Sequence, residues 1–101
     1  MQLKPGMRFR SQVCQTEVVV VKAAQDGLLT CGGVPVVPLD RSVDPDAVLS
    51  LGHSGGTLLG KRYTDDSNGV EILCVKAGEG SLGLDGEQLT IKTAKALPSS
   101  D

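Results

Sequence analysis

Aromatic residues are scarce in this sequence: its 101 residues include one phenylalanine, one tyrosine and no tryptophan. Proteins that hold single-stranded nucleic acid stack the bases on aromatic side chains, and this chain has almost none. Charge gives no attraction to phosphate either, because ten basic residues stand against twelve acidic ones. We therefore predict that the protein does not bind nucleic acid.

Long apolar runs are also missing. No stretch approaches the ~20 apolar residues that span a bilayer, and the first five residues, Met-Gln-Leu-Lys-Pro, lack the hydrophobic segment of a signal peptide. The odd number of cysteines (Cys14, Cys31 and Cys74) is a poor basis for the disulfide framework of a small secreted domain. These features predict a cytoplasmic protein that does not associate with membranes.

The sequence does contain many short β-strand patterns. Residues 17–22 include four successive valines, and β-branched side chains suit extended backbone. Turn signals such as Asp-Gly at residues 26–27 and 85–86 separate these patterns. Strands are predicted at residues 7–10, 17–22, 28–31, 34–37, 61–64, 70–76, 81–84 and 88–92. The predicted fold class is mainly β.

Residues 40–59 interrupt the strand pattern. Asp44 is a suitable N-cap and Pro45 a suitable first helical residue, so a short helical turn is predicted within residues 44–51. Connecting segments of this length often carry function, so this linker is the segment that we expect to face a partner.

The second half of the chain repeats the first. Residues 6–9 (Gly-Met-Arg-Phe) recur 54 residues later as residues 60–63 (Gly-Lys-Arg-Tyr), and residues 17–23 recur at the same separation as residues 71–77. With one residue deleted in the turn, Leu29 aligns with Leu82 and Gly33 with Gly86. The alternative is that two β-hairpins of similar composition merely look alike.

Each copy spans fewer than ~40 residues, a length that rarely folds without a metal, a disulfide or a partner. Two copies in one chain can instead bury their apolar faces on each other, as two subunits do across a two-fold axis. Phe9 and Tyr63 would then occupy matching places near a shared core.

The first copy carries an ordered set of motifs. Gly-Met-Arg-Phe at residues 6–9 is followed by Ser-Gln-Val-Cys at residues 11–14, the valine-rich strand, and Leu-Thr-Cys-Gly-Gly-Val-Pro-Val at residues 29–36. This order resembles desulforedoxin and the N-terminal domain of desulfoferrodoxin, members of the rubredoxin-like proteins. The resemblance implies two tandem desulforedoxin-like small β units packed as a pseudo-two-fold single domain: residues 1–39, a linker at 40–59, residues 60–98 without cysteine ligands, and a tail at 99–101.

The resemblance also implies a ligand set, from which this chain departs. The family holds iron with four thiolates, whereas here only Cys14 and Cys31 fall on ligand positions and Ser11 and Gly32 occupy the other two. A serine is a poor ligand for such a site and a glycine offers none, so rubredoxin-type electron transfer does not carry over. The matching positions of the second copy hold Asp65, Asn68, Leu84 and Asp85.

Three interpretations of Cys14 and Cys31 stay open. The first is that the pair binds zinc or iron, either with Cys74, His53 or Asp65 as a third ligand or together with the same pair of a second chain in a homodimer. The second is that the ligands have decayed and no cofactor is bound, and the third is that the two thiols form a redox pair. Cys74 alternates in phase with neighbouring apolar residues of its strand and is predicted to be a core residue.

Two motifs that suggest enzymes lack their structural context. Residues 52–56 fit the Gly-x-Ser-x-Gly elbow, but His53 within the motif is the only histidine, so no triad can be assembled. Residues 78–83 fit Gly-x-Gly-x-x-Gly, but no helical pattern follows, and the repeat assigns them to a hairpin turn. Glu17 and Glu71 are predicted on exposed faces, so no catalytic constellation is predicted.

Two functions follow from these patterns. The first is a small non-catalytic accessory protein that docks on a protein partner or assembles as a homo-oligomer. The alternative is a metal-binding (zinc or iron) or redox carrier protein that uses Cys14 and Cys31.

Overall fold

A computed structural model of the protein describes residues 1–23, 25–65 and 69–92, and these residues form a mainly β structure. The strands are β1 (Arg8–Arg10), β2 (Glu17–Lys22), β3 (Leu29–Cys31), β4 (Val34–Pro35), β5 (Val37–Pro38), β6 (Arg62–Asp65), β7 (Val70–Lys76), β8 (Leu82–Leu84), β9 (Glu87–Gln88) and β10 (Thr90–Ile91). The described part of the chain has no α-helix, and a 3₁₀ turn lies at Leu51–His53. None of its helices is long and apolar enough to cross a membrane.

The described strands form two antiparallel sheets. One has the order β10-β6-β7-β2-β1-β5 and the other the order β4-β3-β8-β9. The two longest strands, β2 and β7, pair at the centre of the larger sheet, and the inward residues Val18, Val20, Ile72 and Cys74 are buried there. The predicted mainly β class is therefore confirmed.

A single core contains the inward side chains of both sheets. Val18, Val20 and Ile72 of the larger sheet and Leu29 and Leu84 of the smaller one are each at most 2% exposed. Burying such a side chain completely contributes about 2 kcal/mol relative to leaving it in water. Both halves of the chain therefore depend on the same apolar interior.

The strands of the two halves occupy equivalent positions in the sheets. If each of β1 to β5 is exchanged for its counterpart among β6 to β10, each sheet keeps its strand order, read from the other end. Val18 lies opposite Cys74 and Val20 opposite Ile72, and these two pairs are counterparts under the sequence repeat. The duplication stays a prediction, and this register supports it.

The two aromatic residues also have matching surroundings. Phe9 lies opposite Val18 and Tyr63 opposite Ile72, and both rings are buried. Tyr63 differs in one respect, because its hydroxyl accepts a hydrogen bond from the N–H of Leu58 at 2.9 Å. The repeat thus places its aromatic residue at the shared core in each half.

The linker differs from its prediction. Asp44 Oδ1 accepts a hydrogen bond from the N–H of Asp46 at 2.9 Å, which closes a turn instead of starting a helix. The N–H of Asp44 is held by Gln12 Oε1 at 2.7 Å. The predicted helical turn within residues 44–51 is therefore wrong in position, and the 3₁₀ turn at Leu51–His53 begins where that segment ends.

Glu71 lies in a buried ion-pair cluster, so its predicted exposure is wrong. Its side chain is 3% exposed, and its carboxylate accepts hydrogen bonds from Lys92 Nζ at 2.7 Å and Arg62 Nη1 at 2.8 Å. The hydrogen bond from Lys92 lowers the pKa of Glu71, and the hydrogen bond from Arg62 adds to this effect. Burial acts in the opposite direction, but the net pKa lies below its ordinary value. The neighbouring strand β6 and the segment after β10 supply these cations, which the sequence pattern of β7 alone does not reveal.

Replacing Glu71 by glutamine is expected to destabilise the protein by about 1–3 kcal/mol at neutral pH, because charge-assisted hydrogen bonds to a buried carboxylate are lost. A carboxyl whose pKa is lower in the folded state stabilises above its unfolded pKa, and that contribution is lost as the pH falls below 4.5, its ordinary value. Urea unfolding at several pH values measures this effect. The control Glu17→Gln removes a half-exposed partner 3.8 Å from Lys76 and should change stability by less than about 0.5 kcal/mol. Equal effects of the two substitutions would contradict this account.

Candidate dithiol site

Cys14 and Cys31 meet in the structure, with their Sγ atoms 3.8 Å apart. Cys14 lies in the loop between β1 and β2, and Cys31 ends β3. The loop is shaped by Ser11, whose Oγ accepts hydrogen bonds from the N–H groups of Val13 at 3.1 Å and Cys14 at 3.2 Å. The N–H of Ser11 bonds the carbonyl of Thr16 at 2.9 Å and closes the loop at its base. The loop therefore holds Cys14 at a defined place beside Cys31.

Polar groups surround the sulfur of Cys14. The thiol donates to Ser11 Oγ at 3.3 Å, Thr16 Oγ1 lies 3.2 Å away, and the N–H of Gly80 donates to the sulfur at 3.4 Å. Hydroxyl hydrogens rotate, so both hydroxyls can donate to a thiolate. Partial burial raises the pKa of Cys14, but these hydrogen bonds outweigh it and lower the pKa from an ordinary 9.0 to about 7. Cys14 is therefore a thiolate to a large extent at neutral pH.

Cys31 has the opposite character. It is fully buried, at 0% exposure, and burial together with the charge of the neighbouring Cys14 raises its pKa from 9.0 to about 11. Two neighbouring groups whose environments push their pKa values apart are suited to different steps of one reaction. The pair thus combines a partly exposed, ionisable thiol with a buried, protonated one.

A glycine loop from the second half covers both sulfurs. A Cβ atom at Gly78 would clash with Thr16 Oγ1 and lie 3.0 Å from the sulfur of Cys14. A Cβ atom at Gly80 would lie 2.9 Å from the sulfur of Cys31 and 2.8 Å from the N atom of Gly32. Only glycine allows the backbone to come this close, so residues 78–80 complete the site.

Gly32 occupies the position of a fourth ligand in the resemblance to desulforedoxin. It has a positive φ of 68°, and a Cβ there would clash with Leu49 Cδ1 and lie 2.6 Å from Val13 Cγ2, so both side chains would have to shift. Glycine offers no side-chain donor, and a chain with three cysteines cannot supply a shell of four thiolates. The linker also contacts Gly32, because the N–H of Ser50 donates a hydrogen bond to the carbonyl of Gly32 at 2.9 Å.

The other candidate ligands lie in separate settings. Cys74 is 1% exposed and donates to the carbonyl of Lys76 at 3.2 Å, which confirms it as a core residue. The ring of His53 lies against Gly33, and Asp65 ends β6 opposite Val70. Among residues 1–23, 25–65 and 69–92, no group of three His, Cys, Asp or Glu residues is placed to hold a metal ion.

The predicted repeat aligns Leu84 and Asp85 with Cys31 and Gly32. Leu84 is buried in the core, and Asp85 Oδ1 accepts a hydrogen bond from the N–H of Leu28 at 2.8 Å. Asn68 lies outside the described residues. Leu84 therefore packs in the core, and Asp85 holds the backbone of Leu28.

Two cavities include Cys14 in their lining. One, of about 350 Å³, is lined by Val13, Cys14, Gln15, Gly78 and Glu79. The other, of about 270 Å³, is lined by Arg10, Ser11, Gln12, Cys14, Gln15, Thr16, Glu17, Val43 and Lys76. Cys14 can therefore be approached from solvent, whereas Cys31 lines neither cavity.

Sequence reasoning did not identify Thr16, Gly78 and Gly80 as parts of the site. Thr16 belongs to no recognised motif, and only its position two residues after Cys14 could have suggested a contact with that sulfur. The glycines were visible as a Gly-x-Gly pattern, but only the pairing of β3 with β8 brings them to the sulfurs.

No family model matches this chain, and no curated protein or solved structure is significantly similar to it.

Proposed function

We propose that this protein is a small redox carrier in which Cys14 and Cys31 exchange between a dithiol and a disulfide. The observation that carries the proposal is the 3.8 Å separation of the two sulfurs. A disulfide bond measures about 2.0 Å, so side-chain rotations that bring the sulfurs about 1.8 Å closer would join them. Oxidation would thus require little movement of the surrounding strands.

The reaction has two steps. The Cys14 thiolate attacks one sulfur of a disulfide, forms a mixed disulfide and releases the other sulfur as a thiolate, which takes a proton from water. Cys31 then loses its proton to solvent and attacks the Cys14 sulfur, which displaces the second sulfur as a thiolate and leaves the Cys14–Cys31 disulfide. The displaced thiolate is protonated by solvent. The incoming disulfide thus gains two electrons from the protein thiols and two protons from the solvent, to which Cys31 has released one.

The local chemistry assigns the two roles. Cys14 borders two cavities and receives three polar contacts, from Ser11, Thr16 and Gly80, that stabilise its thiolate. Cys31 is buried beside it, so it can reach the Cys14 sulfur but not an external one. Cys14 is therefore the attacking thiol and Cys31 the resolving thiol.

Equilibration with mixtures of oxidised and reduced dithiothreitol tests this proposal. The count of free thiols in denaturant should fall from three to one per chain, because Cys74 stays reduced. Cys74→Val should behave like the wild type, because valine is the residue at the matching position, Val20, of the first half. Cys14→Ser should lose the transition completely. A thiol count of three at every ratio of reagents would overturn the proposal.

The same preparation tests metal binding, the alternative use of this pair. Two thiolates bound to one tetrahedral zinc lie about 3.8 Å apart, given zinc–sulfur bonds of ~2.3 Å, and the observed distance equals that value. Such a site would need two further ligands from water or another molecule. Near-stoichiometric zinc or iron in anaerobically purified protein, lost in Cys14→Ser, would support metal binding instead of the redox carrier.

A docking role is a second candidate, favoured by the exposed side chains of the linker. Val48 is 77% exposed, Leu51 93%, Leu58 53% and Leu59 65%. Clustered apolar exposure of this kind is typical of surfaces that contact other proteins. Light scattering tests self-association: a dimer that dissociates in Leu51→Ser with Leu59→Ser would support an assembly role, whereas a wild-type monomer would leave only docking on a different protein.

A further inference from the structure

The cavity on the β2 side of Cys14 carries an excess of positive charge near the sulfur. Its lining includes two cations, Arg10 and Lys76, and one carboxylate, Glu17. Lys76 Nζ lies 3.8 Å from Glu17 Oε2, so these two charges offset each other. Arg10 is the cation of this cavity left without a carboxylate among the described residues.

The guanidinium of Arg10 also has unused hydrogen-bonding capacity. Its Nη2 donates to the carbonyl of Arg41, which fixes the side chain against the linker. Its Nε is buried and has no hydrogen-bond partner among the described residues. An Arg side chain presents five N–H donors in a planar fork that matches the two oxygens of a carboxylate. A held guanidinium with free donors beside a nucleophile is suited to orient an anionic substrate.

The other cavity next to Cys14 has the opposite charge. Glu79 lines it, and no Lys or Arg is among the residues around it. A carboxylate of an incoming molecule would therefore be directed to the Arg10 cavity, and an ammonium group, if the molecule has one, to the Glu79 cavity.

We propose that Cys14 exchanges with low-molecular-weight disulfides that carry carboxylates, and that Arg10 binds the carboxylate in the cavity next to the sulfur. This inference rests on the redox function proposed above. Arg10 is a specificity-determining residue here, because it contacts a part of the substrate that does not react. The attack on the disulfide and the release of two thiols proceed as already described.

Three symmetrical disulfides of different charge provide the test: glutathione disulfide (anionic), 2-hydroxyethyl disulfide (neutral) and cystamine (cationic). The second-order rate of oxidation of the reduced protein is measured with each and divided by the rate of a free cysteine peptide, which removes differences in intrinsic reactivity. We expect glutathione disulfide to be favoured about fivefold over the neutral compound, the size of one ion-pair contact at the surface. Added salt should reduce this preference.

The matched variants are Arg10→Gln and Arg8→Gln. Both substitutions remove a cation from β1, but Arg8 does not line the cavity. Arg10→Gln should abolish the preference for glutathione disulfide, whereas Arg8→Gln should keep the preference.

The outcomes separate this inference from the redox function. Equal normalised rates for the three compounds in the wild type, or a preference for cystamine, would overturn the role of Arg10 and leave the redox function intact. Absence of a Cys14–Cys31 disulfide with any compound would overturn both. The salt dependence of the wild type decides the matter even if Arg10→Gln does not fold.

Discussion

In the Cys31→Ser variant, Cys14 is expected to remain locked in a mixed disulfide after reaction with glutathione disulfide. The second step needs the buried thiol of Cys31, whose sulfur lies 3.8 Å from that of Cys14. Cys74 is instead buried in the core, where its thiol donates to the carbonyl of Lys76. Intact-mass spectrometry should show one glutathione adduct per chain, which dithiothreitol removes. The wild type should instead lose two hydrogens and carry no adduct.

The reverse variant, Cys14→Ser, should react more slowly than the wild type. It removes the charge of Cys14, but burial, the largest cause of the raised pKa of Cys31, remains. A thiol with a pKa at or above 9.0 is a thiolate in at most about one molecule in a hundred near pH 7, against about half for Cys14 with its pKa of about 7. The greater intrinsic nucleophilicity of the more basic thiolate recovers only part of this difference. We expect Cys31 alone to react at least about fivefold more slowly than Cys14, and burial adds to that factor. Similar rates for the two single-cysteine sites would contradict the assignment of attacking and resolving roles.

Alkylation of Cys14 by iodoacetamide should rise with pH and reach half its maximum near pH 7. Hydrogen bonds from Ser11, Thr16 and the N–H of Gly80 hold the pKa of Cys14 at about 7, against an ordinary 9.0. At pH 7 this increases the thiolate fraction about fiftyfold, and the lower basicity reduces the nucleophilicity about tenfold. Cys14 should therefore react about fivefold faster than a free cysteine peptide, as measured by peptide mapping.

Thr16→Val tests the cause of this reactivity, since it removes one hydroxyl and keeps the shape of a buried side chain. The midpoint of the alkylation profile should move to higher pH. Ser54→Ala is the control, because Ser54 bonds the carbonyl of Leu51 on the exposed linker. The charged groups lining the cavities beside Cys14 are Arg10, Glu17, Lys76 and Glu79, and both variants keep them. A midpoint unchanged in Thr16→Val would show that the Thr16 hydroxyl does not lower the pKa, and would leave Ser11 and the backbone N–H groups of Thr16 and Gly80 as its cause.

Much of the fold could be predicted from local sequence. The valines of β2 and the Asp-Gly turns specify strands without reference to distant residues, and the approach of Cys14 to Cys31 was expected from the resemblance. The linker was misplaced because Asp44 is equally suited to cap a helix or to close a short turn, and its contact with Gln12 favours the turn.

The features that escaped prediction depend on contacts that local sequence patterns do not show. Gly80 reaches Cys31, 49 positions earlier, because β3 pairs with β8, with Cys31 opposite Leu82. Glu71 is buried because cations from β6 and from the segment after β10 meet its carboxylate. One chain without aligned relatives gives no signal for such contacts.

The glycine loop over the sulfurs has a consequence for how the chain can be divided. The thiols belong to the first half, while the backbone N–H that stabilises the Cys14 thiolate comes from Gly80 in the second. A fragment ending within residues 40–59 would keep both cysteines yet lose that donor and its cover. A chain cleaved in the linker whose two parts stay associated would keep the Gly80 N–H donor and the glycine loop over the sulfurs. The reactivity of Cys14 therefore requires both halves of the chain, assembled together.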